Sequence, residues 1–247
     1  MSVEYRKVLY ANYHTTQSGR ASLTSAESLF LREKRQFESE ILPLLHSVPK
    51  SARIFDMGCG SGSLLKGLKE AGYTNLIGMD LSEEQVNMAH NFGVSEVVLG
   101  DAMQFFRGSE EQFDIITGMD IIEHFTKDEL VELLQLIQSK LKKGGMAIFR
   151  TPNMDAPIAT AFAIGDFTHE NYLNASSAEQ VMLSCGFGDV KVKPSFMLVN
   201  GFLKEGLRSV LYRILSLRLK LRLFATARST QKVLFTPNLL IVGVKSN

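Results

Sequence analysis

The chain has 247 residues, of which 45% are hydrophobic and 21% are charged, and its formal net charge is +1. This length and composition fit one large domain, and they exclude a disordered chain and a general binder of polyanions. The two cysteines, Cys59 and Cys185, exclude a disulfide framework and favour a reducing compartment. The start has no apolar core of the signal-peptide type, and no apolar run is long enough to cross a bilayer. We therefore expect a cytoplasmic protein.

Residues 1–50 precede the first predicted strand. They contain an aromatic and polar segment, Tyr5 to Arg20, followed by a predicted helix from Ser25 to His46. We expect this segment to form a helical cap over one face or one edge of a sheet.

From Arg53 onward, short apolar runs alternate with amphipathic stretches, as in chains whose parallel strands are joined by helices. The predicted strands are Arg53–Met57, Asn75–Met79, Glu96–Leu99, Phe113–Thr117, Met146–Thr151, Val190–Lys193 and Leu239–Val244. The predicted helices between them are Ser63–Ala71, Glu83–Asn91, Lys127–Leu141 and Ser177–Cys185. We expect Lys143-Gly144-Gly145 to stop the fourth helix and to lead into the next strand. The alternation predicts an α/β fold with a doubly wound, mostly parallel sheet of seven strands.

Two further regions fall outside this alternation. Residues 152–175 are predicted to form a polar loop at the active site. Residues 201–224 have the pattern of a basic amphipathic helix, inserted before the last strand. The predicted organisation is a cap at 1–50, a core at 51–200, the helical insertion at 201–225 and the last strand of the core sheet at 226–247.

A glycine-rich turn follows the first predicted strand. Asp56 ends the strand, and Gly58, Gly60 and Gly62 lead into the next helix. Glycines allow a tight turn and the close approach of a ligand, and the helix N-terminus offers N–H groups without partners in the helix. A G-x-G motif alone is weak evidence, because phosphate-binding turns and packing turns also contain it.

Acidic residues follow the next two predicted strands as well. Asp80-Leu81 ends the second strand, and its carboxylate could accept the hydroxyl protons of a ribose. Gly100-Asp101-Ala102 ends the third, where the acid could meet an adenine amino group. Three acids at three successive strand ends predict a nucleoside-type cofactor.

These residues, together with Lys143-Gly144-Gly145, resemble the class I S-adenosylmethionine (SAM)-dependent methyltransferases over Ser51 to Val192. The resemblance implies a Rossmann-like fold and SAM as cofactor. The G-x-G-x-G spacing favours SAM over a nicotinamide dinucleotide, whose enzymes carry G-x-G-x-x-G. By this resemblance Asp56 lies near the methionine end of SAM, Gly58 and Gly60 lie beneath it, Asp80-Leu81 meets the ribose, Asp101-Ala102 meets the adenine, and Met119 faces the cofactor.

The amino-terminal segment offers further candidates for the binding site. Its aromatic and polar side chains Tyr10, Tyr13, His14 and Gln17 could close over SAM or over the acceptor. They could equally pack the amino-terminal helix onto the sheet. Asn171 and Tyr172, in the polar loop, are expected to line the acceptor pocket.

A candidate catalytic cluster follows the fourth predicted strand. If a helical turn begins there, Asp120 shares a face with Glu123 and His124, at positions i, i+3 and i+4. Neighbouring carboxylates repel each other unless a cation, a proton or a basic group neutralises them. The polar loop carries a second histidine, His169, which could return over the cofactor.

This arrangement resembles the ubiquinone-biosynthesis O-methyltransferases and the small-RNA 2′-O-methyltransferases. The resemblance implies a divalent cation that engages the acceptor hydroxyl and is held by Asp120, Glu123, His124 and His169, with Asp120 standing where those families have Glu. Two carboxylates and two imidazoles suit Mn²⁺, Fe²⁺ or Zn²⁺ better than Mg²⁺. Two alternatives stay open: His124 or His169 acts as a metal-free acid or base, or the cluster only caps a helix and orders a loop.

The whole-chain pattern resembles methyltransferases of bacterial surface-polysaccharide synthesis. It combines YANYH near the start, GDFTHENYLNASS in the polar loop, the basic insertion and TPNLLIVGVK near the end. This resemblance implies methylation of a sugar hydroxyl on a nucleotide sugar, an oligosaccharide or a lipid-linked glycan. The alternatives are O-methylation of a quinone precursor or another small aromatic, and a SAM-binding scaffold without turnover. A nucleic-acid acceptor is not expected, because no basic-aromatic pattern extends outside 201–224.

The insertion at 201–224 has two interpretations. Cations on a largely apolar helix could rest on anionic lipid at the inner face of the membrane. The same helix could instead be a lid or a dimer element, which we favour on the sequence alone. The sequence predicts no oligomeric state.

Overall fold

The structure is a computed structural model, and it describes residues 5–10, 25–196, 198–199, 201–229 and 231–246. The candidates Tyr13, His14 and Gln17 lie outside the described residues, as does the side chain of Tyr10.

Within the described residues, seven strands form one sheet in the order β3-β2-β1-β4-β5-β7-β6. The strands are β1 (Arg53–Met57), β2 (Asn75–Asp80), β3 (Val97–Leu99), β4 (Phe113–Met119), β5 (Leu141–Pro152), β6 (Phe187–Ser195) and β7 (Asn238–Lys245). Strands β1 to β5 pair in parallel, and β7 runs antiparallel between β5 and β6. This is the predicted doubly wound, mostly parallel sheet.

Helices cover both faces of the sheet. They are α1 (Tyr5–Tyr10), α2 (Ala26–Gln36), α3 (Ser63–Glu70), α4 (Glu83–Asn91), α5 (Ala102–Gly108), α6 (Lys127–Lys140), α7 (Ala159–Ala163), α8 (Ala175–Ser184) and α9 (Phe202–Ala225). A π-helical turn at Phe37–Ile41 and a 3₁₀ turn at Leu42–Leu45 continue α2. The predicted helix over Ser25 to His46 is therefore three successive helical segments.

Side chains alternate between two apolar cores, one on each face of the sheet. In β1, Ile54 packs into one core and Phe55 into the other, and in β4 Ile115 and Ile116 are divided in the same way. Both faces of a parallel sheet are covered in this fold, so its central strands are apolar throughout. This burial fixes the register of β1 and β4, whose carboxyl ends carry the site.

The turn before β5 differs from the prediction. Helix α6 ends at Lys140, and Lys143-Gly144-Gly145 lies inside β5, where the pairing with β4 shifts register between Phe113 and Ile115. Gly144 has a φ of +72°, which explains why a glycine is needed in this irregular stretch. The glycines therefore bend the strand and do not end the helix.

Helix α9 stands apart from both cores. It has 24 residues, and none of its side chains is buried. Among the helices that the described ranges include, none combines the length and the apolar content needed to cross a membrane.

Candidate active site

The glycine-rich turn between β1 and α3 adopts a conformation that glycine favours. Gly58, Gly60 and Gly62 have φ values of +62°, +52° and +78°. The N–H of Gly60 donates to Oδ2 of Asp80 at 2.8 Å, which ties the turn to the end of β2. The turn therefore presents its backbone at the carboxyl edge of the sheet, beside the point where β1 and β4 meet.

A cleft of about 330 Å³ opens at this edge. The residues that line it come from the glycine turn, from the ends of β1, β4 and β5, and from α2 and its continuation. From the turn and the strand ends they include Asp56, Gly58, Cys59, Gly60, Ser61, Met119, Asp120 and Arg150. From α2 and its continuation they include Phe30, Arg32, Glu33, Gln36, Phe37 and Glu40. The sequence predictions for Asp56, Gly58, Gly60 and Met119 thus fall on one cleft.

Asp56 is the buried acid of this cleft. Oδ1 of Asp56 accepts a hydrogen bond of 2.7 Å from the Thr117 hydroxyl, and the residue is 2% exposed. Burial raises the pKa of Asp56 to about 7. A ligand with a positive charge would stabilise the ionised form, and SAM carries both an ammonium and a sulfonium. The donor set of the cleft therefore fits SAM.

The carboxylate of Asp80 accepts hydrogen bonds from the glycine-rich turn and from the backbone that follows β2. Its Oδ1 accepts the N–H of Ser82 at 2.8 Å, while Oδ2 accepts that of Gly60. A carboxylate oxygen has two acceptor positions, so each oxygen can accept one more hydrogen bond, such as that of a ribose hydroxyl. Burial raises the pKa of Asp80. The side chain of the adjacent Leu81 is 59% exposed.

Asp101 caps a helix that we did not predict. Its Oδ1 accepts the N–H groups of Met103 at 2.8 Å and Gln104 at 3.2 Å, and Ala102 is the first residue of α5. Asp101 and Ala102 thus lie at the end of β3, but their structural role is to begin α5. Their contact with adenine stays a prediction.

Asp120 does not join the histidines as predicted. The residue has a φ of +54°, and the short 3₁₀ turn that follows begins only at Ile122. Both carboxylate oxygens of Asp120 accept from Nε of Arg150 at 3.0 Å, and the Arg150 Nη2 group is in close contact with Oδ2. The prediction that Asp120 shares a helical face with Glu123 and His124 is therefore wrong, because the left-handed backbone turns its side chain to Arg150 and the cleft.

The other three members of the predicted cluster converge. Atoms of Glu123, His124 and His169 that could bind a metal lie within 4.8 Å of one another. Glu123 is buried, and its Oε2 accepts a hydrogen bond of 3.0 Å from the Thr151 hydroxyl. Burial, with a smaller contribution from Asp120, raises the pKa of Glu123 well above its usual range. A buried carboxylate beside two imidazoles is a donor set that fits a divalent cation.

The hydrogen bonds of the two histidines indicate which ring nitrogen carries the proton. Nδ1 of His169 donates to the carbonyl of Ala163 at 3.0 Å. The Thr168 hydroxyl donates to Oδ1 of Asp166 at 2.6 Å, so it accepts from Nδ1 of His124 at 2.8 Å. Each ring therefore carries its lone pair on Nε2. Burial, and then His169, lowers the pKa of His124 to about 4, so this imidazole is neutral at pH 7.

Backbone contacts hold the polar loop against the 3₁₀ turn. The carbonyl of Glu123 accepts the N–H groups of Glu170 at 2.8 Å and Asn171 at 3.1 Å. The Asn171 amide donates to the carbonyls of Ile122 and Phe125. Asn171 is 4% exposed and fixes the loop through these bonds, while its place in an acceptor pocket stays a prediction. Tyr172 is half exposed, and its hydroxyl donates to the carbonyl of His169.

Helix α1 covers the outer side of this loop. Arg6 donates to both carboxylate oxygens of Glu129 at 2.6 and 2.7 Å and to the carbonyl of His124 at 3.1 Å. The Tyr5 hydroxyl bonds the carboxylate of Glu170. Helix α1 therefore contacts the polar loop and the backbone of His124.

The sequence analysis did not predict a role for several residues of the site. Arg150 was assigned only to a strand, although a charged residue within an apolar run is a signal of a specific partner. Thr117 and Thr151 lie in the same kind of run and donate to Asp56 and Glu123. The role of Gln36, which accepts from Arg150 at 2.8 Å, has no local signal, because its partner is 114 residues away.

Comparisons with known proteins show which family the chain belongs to. A family model described as a methyltransferase domain matches residues 30–192. The ubiquinone biosynthesis O-methyltransferase of Hydrogenovibrio crunogenus is 27% identical over 169 residues, which cover 62% of this chain and 63% of that protein. The putative methyltransferase YqeM of Bacillus subtilis is 31% identical over 108 residues, 42% of this chain and 43% of that protein. The chain thus spans about half the length of the curated relatives that it matches.

Solved structures share the fold. A SAM-dependent methyltransferase from Archaeoglobus fulgidus has a TM-score of 0.65 at 21% identity, covering 89% of this chain and 97% of that chain. The magnesium protoporphyrin IX methyltransferase of Synechocystis PCC 6803, with bound SAM, has a TM-score of 0.60 at 14% identity, covering 99% of each chain. At such identities the likeness concerns the fold alone. With the family match over residues 30–192, the chain belongs to the methyltransferase-domain family and has the fold of the class I SAM-dependent methyltransferases.

Proposed function

We propose that the protein is a SAM-dependent O-methyltransferase. The observation that carries the proposal is that the cofactor cleft and the cluster of Glu123, His124 and His169 are adjacent. Asp120 and Arg150 line the cleft, and both also influence the pKa of Glu123. A cofactor site beside a cluster that can handle a hydroxyl proton is what O-methylation requires.

The residues of the cleft would bind and orient SAM, which supplies an electrophilic methyl group on its sulfonium. Asp56 would hold the positively charged methionine end, and the backbone of Gly58 and Gly60 would lie against the cofactor. Beyond the residues that line the cleft, Asp80 at the end of β2 would accept the ribose hydroxyls, and Asp101 after β3 would lie by the adenine. Met119, at the end of β4, would face the transferred methyl group.

The second part of the proposal is a divalent cation held by Glu123 and by Nε2 of His124 and His169. A bound cation of this kind lowers the pKa of an acceptor hydroxyl. Mn²⁺, Fe²⁺ and Zn²⁺ suit the mixed nitrogen and oxygen donors better than Mg²⁺ does. Three protein ligands leave coordination positions open, so Asp120 is not needed as a fourth.

A metal-free route uses the same side chains. Nε2 of His169 would take the acceptor's hydroxyl proton as the oxygen–methyl bond forms and the sulfur–methyl bond breaks. His124 is a weak base, because its pKa is lowered to about 4. His169 is therefore the base in this route, oriented by its Nδ1 bond to Ala163.

For the acceptor we favour a sugar hydroxyl, as in the assembly of a surface glycan. The lining of the cleft supports this choice, because α2 with its π-helical continuation, the residue after β4, and β5 contribute hydrogen-bonding groups to it. They are Arg32, Glu33, Gln36, Glu40, Asp120 and Arg150. Side chains of this kind match the many hydroxyls of a sugar better than an aromatic ring.

A quinone precursor or another small phenol is the second candidate. It is favoured by the ubiquinone biosynthesis O-methyltransferases among the curated relatives. Both acceptors present a hydroxyl, so the mechanism is shared and only the acceptor pocket differs.

Labelled SAM tests the proposal. The protein is incubated with labelled SAM and either cell-surface glycan extract or a catechol, before and after chelation. Transfer that chelation abolishes and Mn²⁺ restores, with SAM affinity unchanged, is the expected result. Full transfer by a metal-free preparation would eliminate the cation and leave His169 as base. SAM binding without transfer to either acceptor class would favour the non-catalytic scaffold.

The variant His169→Ala separates chemistry from cofactor binding. It removes a member of the cluster but no residue of the SAM cleft. We expect turnover to fall at least about 100-fold, the usual contribution of a positioned acid or base, with little change in SAM affinity. Ile158→Ala is the matched control, because it shortens a side chain of the same loop that is 75% exposed. Equal activity in both variants would contradict the assignment.

A further inference from the structure

Helix α9 carries an apolar seam on the side that faces solvent. The seam residues recur at alternating spacings of four and three, and they are between 52% and 84% exposed. They are Leu203, Leu207, Val210, Ile214, Leu217, Leu221 and Phe224. A spacing of this kind places all seven on one stripe of a helix. We call this stripe the outer seam.

The opposite side of α9 faces the body of the protein. Its less exposed residues include Ser209, Tyr212, Ser216, Leu219 and Leu223. The ring of Tyr212 meets that of Phe196 with 4.9 Å between the ring centroids, and the guanidinium of Arg208 lies 5.0 Å from the centre of the Phe196 ring. The helix thus docks through one side, and the outer seam is not the docking side.

Cations flank the outer seam on both sides. Arg213 and Lys220 lie along one flank, while Lys204, Arg218 and Arg222 lie along the other, as the turn of 100° per residue requires. Helix α9 carries six cations and one acid, Glu205, which is paired with Arg208. The flanks of the seam therefore carry positive charge only.

This charge pattern indicates whether the outer seam binds a second copy of the chain or a lipid surface. In a paired coiled coil, the positions beside the seam contact their equivalents on the partner. Those positions include Lys204, Arg213, Arg218 and Lys220 and no acid, so a second copy would place cations against cations. An anionic bilayer offers the opposite charge together with an apolar interior.

We propose that the outer seam of α9 binds the surface of an anionic membrane, with the helix lying in the plane of the bilayer and its flanking cations on lipid phosphates. The apolar seam would enter the acyl boundary, and the lysine and arginine side chains would extend to the headgroups. Sequence alone favoured a lid or a dimer element. The orientation of the seam away from the body changes that preference.

The end of β6, which precedes α9 in the chain, is connected by hydrogen bonds to the lining of the cofactor cleft. Gln36 donates to the Ser195 hydroxyl at 3.1 Å, just before Phe196, and accepts from Arg150 at 2.8 Å. A membrane-bound helix would therefore be linked to the lining of the cleft through Ser195 and Gln36. Access to a lipid-linked acceptor rests on the proposed function, whereas membrane binding does not.

Vesicle sedimentation of the full chain tests the membrane proposal without any turnover assay. The vesicles are phosphatidylcholine alone, or equal parts phosphatidylcholine and phosphatidylglycerol. The charge variant is Arg213→Gln, Arg218→Gln and Arg222→Gln, and the seam variant is Leu207→Gln, Ile214→Gln and Leu221→Gln. The control variant, Arg107→Gln, Lys143→Gln and Lys191→Gln, removes three exposed cations elsewhere. SAM affinity and helical circular dichroism verify that each variant is folded.

We expect the unchanged protein to bind the anionic vesicles and the control variant to bind them equally. The charge variant should lose roughly 100-fold in partitioning, at about fivefold for each cation near an anionic surface. The seam variant should lose binding although its charge is unchanged. Absence of binding by the unchanged protein, or equal losses in the charge and control variants, would overturn the proposal. So would a dimer in the absence of lipid that the charge variant strengthens, because that result assigns the seam to a second copy.

Discussion

The three acids at the site form two groups according to their hydrogen-bond partners. Asp120 is paired with the guanidinium of Arg150. Asp56 and Glu123 accept from the hydroxyls of Thr117 and Thr151, and burial raises the pKa of both. A hydroxyl donor does not supply the positive charge that a buried carboxylate requires. Asp56 and Glu123 are therefore suited to bind a cationic ligand, whereas Asp120 is already paired with the cationic side chain of Arg150.

The raised pKa of Asp56 predicts how SAM affinity depends on pH. Below about pH 7 the residue is protonated, so binding of a positively charged ligand must release that proton. We expect affinity to fall by up to about tenfold per pH unit as the pH drops below 7. Calorimetry in buffers of different ionisation enthalpy would measure the released proton. Asp56→Asn should bind SAM weakly and without this pH dependence, and a pH-independent affinity in the unchanged protein would refute the role of Asp56.

The different partners of Asp120 and Glu123 predict different metal affinities. Glu123→Gln should weaken Mn²⁺ binding by at least about tenfold, because it removes a charged ligand from the cluster. Asp120→Asn should change Mn²⁺ affinity much less, since its carboxylate contacts Arg150. Titration of the two variants with Mn²⁺, followed by electron paramagnetic resonance, compares them directly. A larger loss in Asp120→Asn would restore Asp120 to the ligand set.

Regular elements were well predicted from the sequence, and irregular ones were not. Apolar periodicity located β1 and α4 at their observed ends, because burial on a sheet face or a helix face imposes that period. Helix α5 was missed, since its seven residues are too few to show a period. The left-handed Asp120 was missed as well, because a positive φ at a residue other than glycine leaves no mark in a hydrophobic pattern.

For the same reason the candidate site was only partly predictable. The glycine turn and the acids at the strand ends follow from the chain's alternation, and they place Asp56, Gly58 and Gly60 at the cleft. The pairing of Asp120 with Arg150 depends on a backbone turn and on a partner 30 residues away. Contacts of that range depend on the folded geometry, which local spacing does not specify.

The glycine turn predicts a contrast between two alanine variants. A Cβ at Gly58 would lie 2.8 Å from the side chain of Ile121, whereas at Gly60 the nearest atom is Oε1 of Gln85 at 3.7 Å. Both positions have a positive φ, which costs about 1–2 kcal/mol for alanine. We expect Gly58→Ala to lower the Tm more than Gly60→Ala, because only the first adds a clash.

Gly60→Ala should nevertheless weaken SAM binding, since its new methyl group would stand in the lining of the cleft. Thermal denaturation and calorimetry on both variants separate the two effects. Equal losses of Tm, or an unchanged SAM affinity in Gly60→Ala, would contradict the geometry of the turn.

For the whole molecule, the buried acids of the site lower the stability of the folded protein when no ligand is bound. The cleft lies at the carboxyl ends of β1 and β4, and the structure buries acids with raised pKa values there. Folding and ligand binding are linked, because a ligand that compensates a buried charge returns the free energy that burial costs. We therefore expect bound ligands to raise the free energy of unfolding of the protein.

The dependence of stability on pH tests this linkage. Burial raises the pKa of Asp56 from 3.8 to about 7, so between these values the folded state binds more protons than the unfolded state. The contribution of Asp56 to stability therefore falls as the pH rises through this window, by up to about 1.4 kcal/mol per pH unit. His124 acts in the opposite direction between about 4 and 6.5, since its folded pKa is lowered. Asp80 and Glu123, whose pKa values burial also raises, act in the same direction as Asp56.

Comparison with Asp56→Asn isolates this one group, because His124 is common to both proteins. We expect the free energy of unfolding of the variant to exceed that of the unchanged protein by a margin that grows from pH 4 to pH 7 and then levels off. Saturating SAM should reduce the margin at pH 7, because its positive charge stabilises the ionised Asp56 that asparagine cannot replace. Urea unfolding at several pH values measures both effects. A margin that does not change with pH would show that Asp56 titrates alike in the folded and unfolded states.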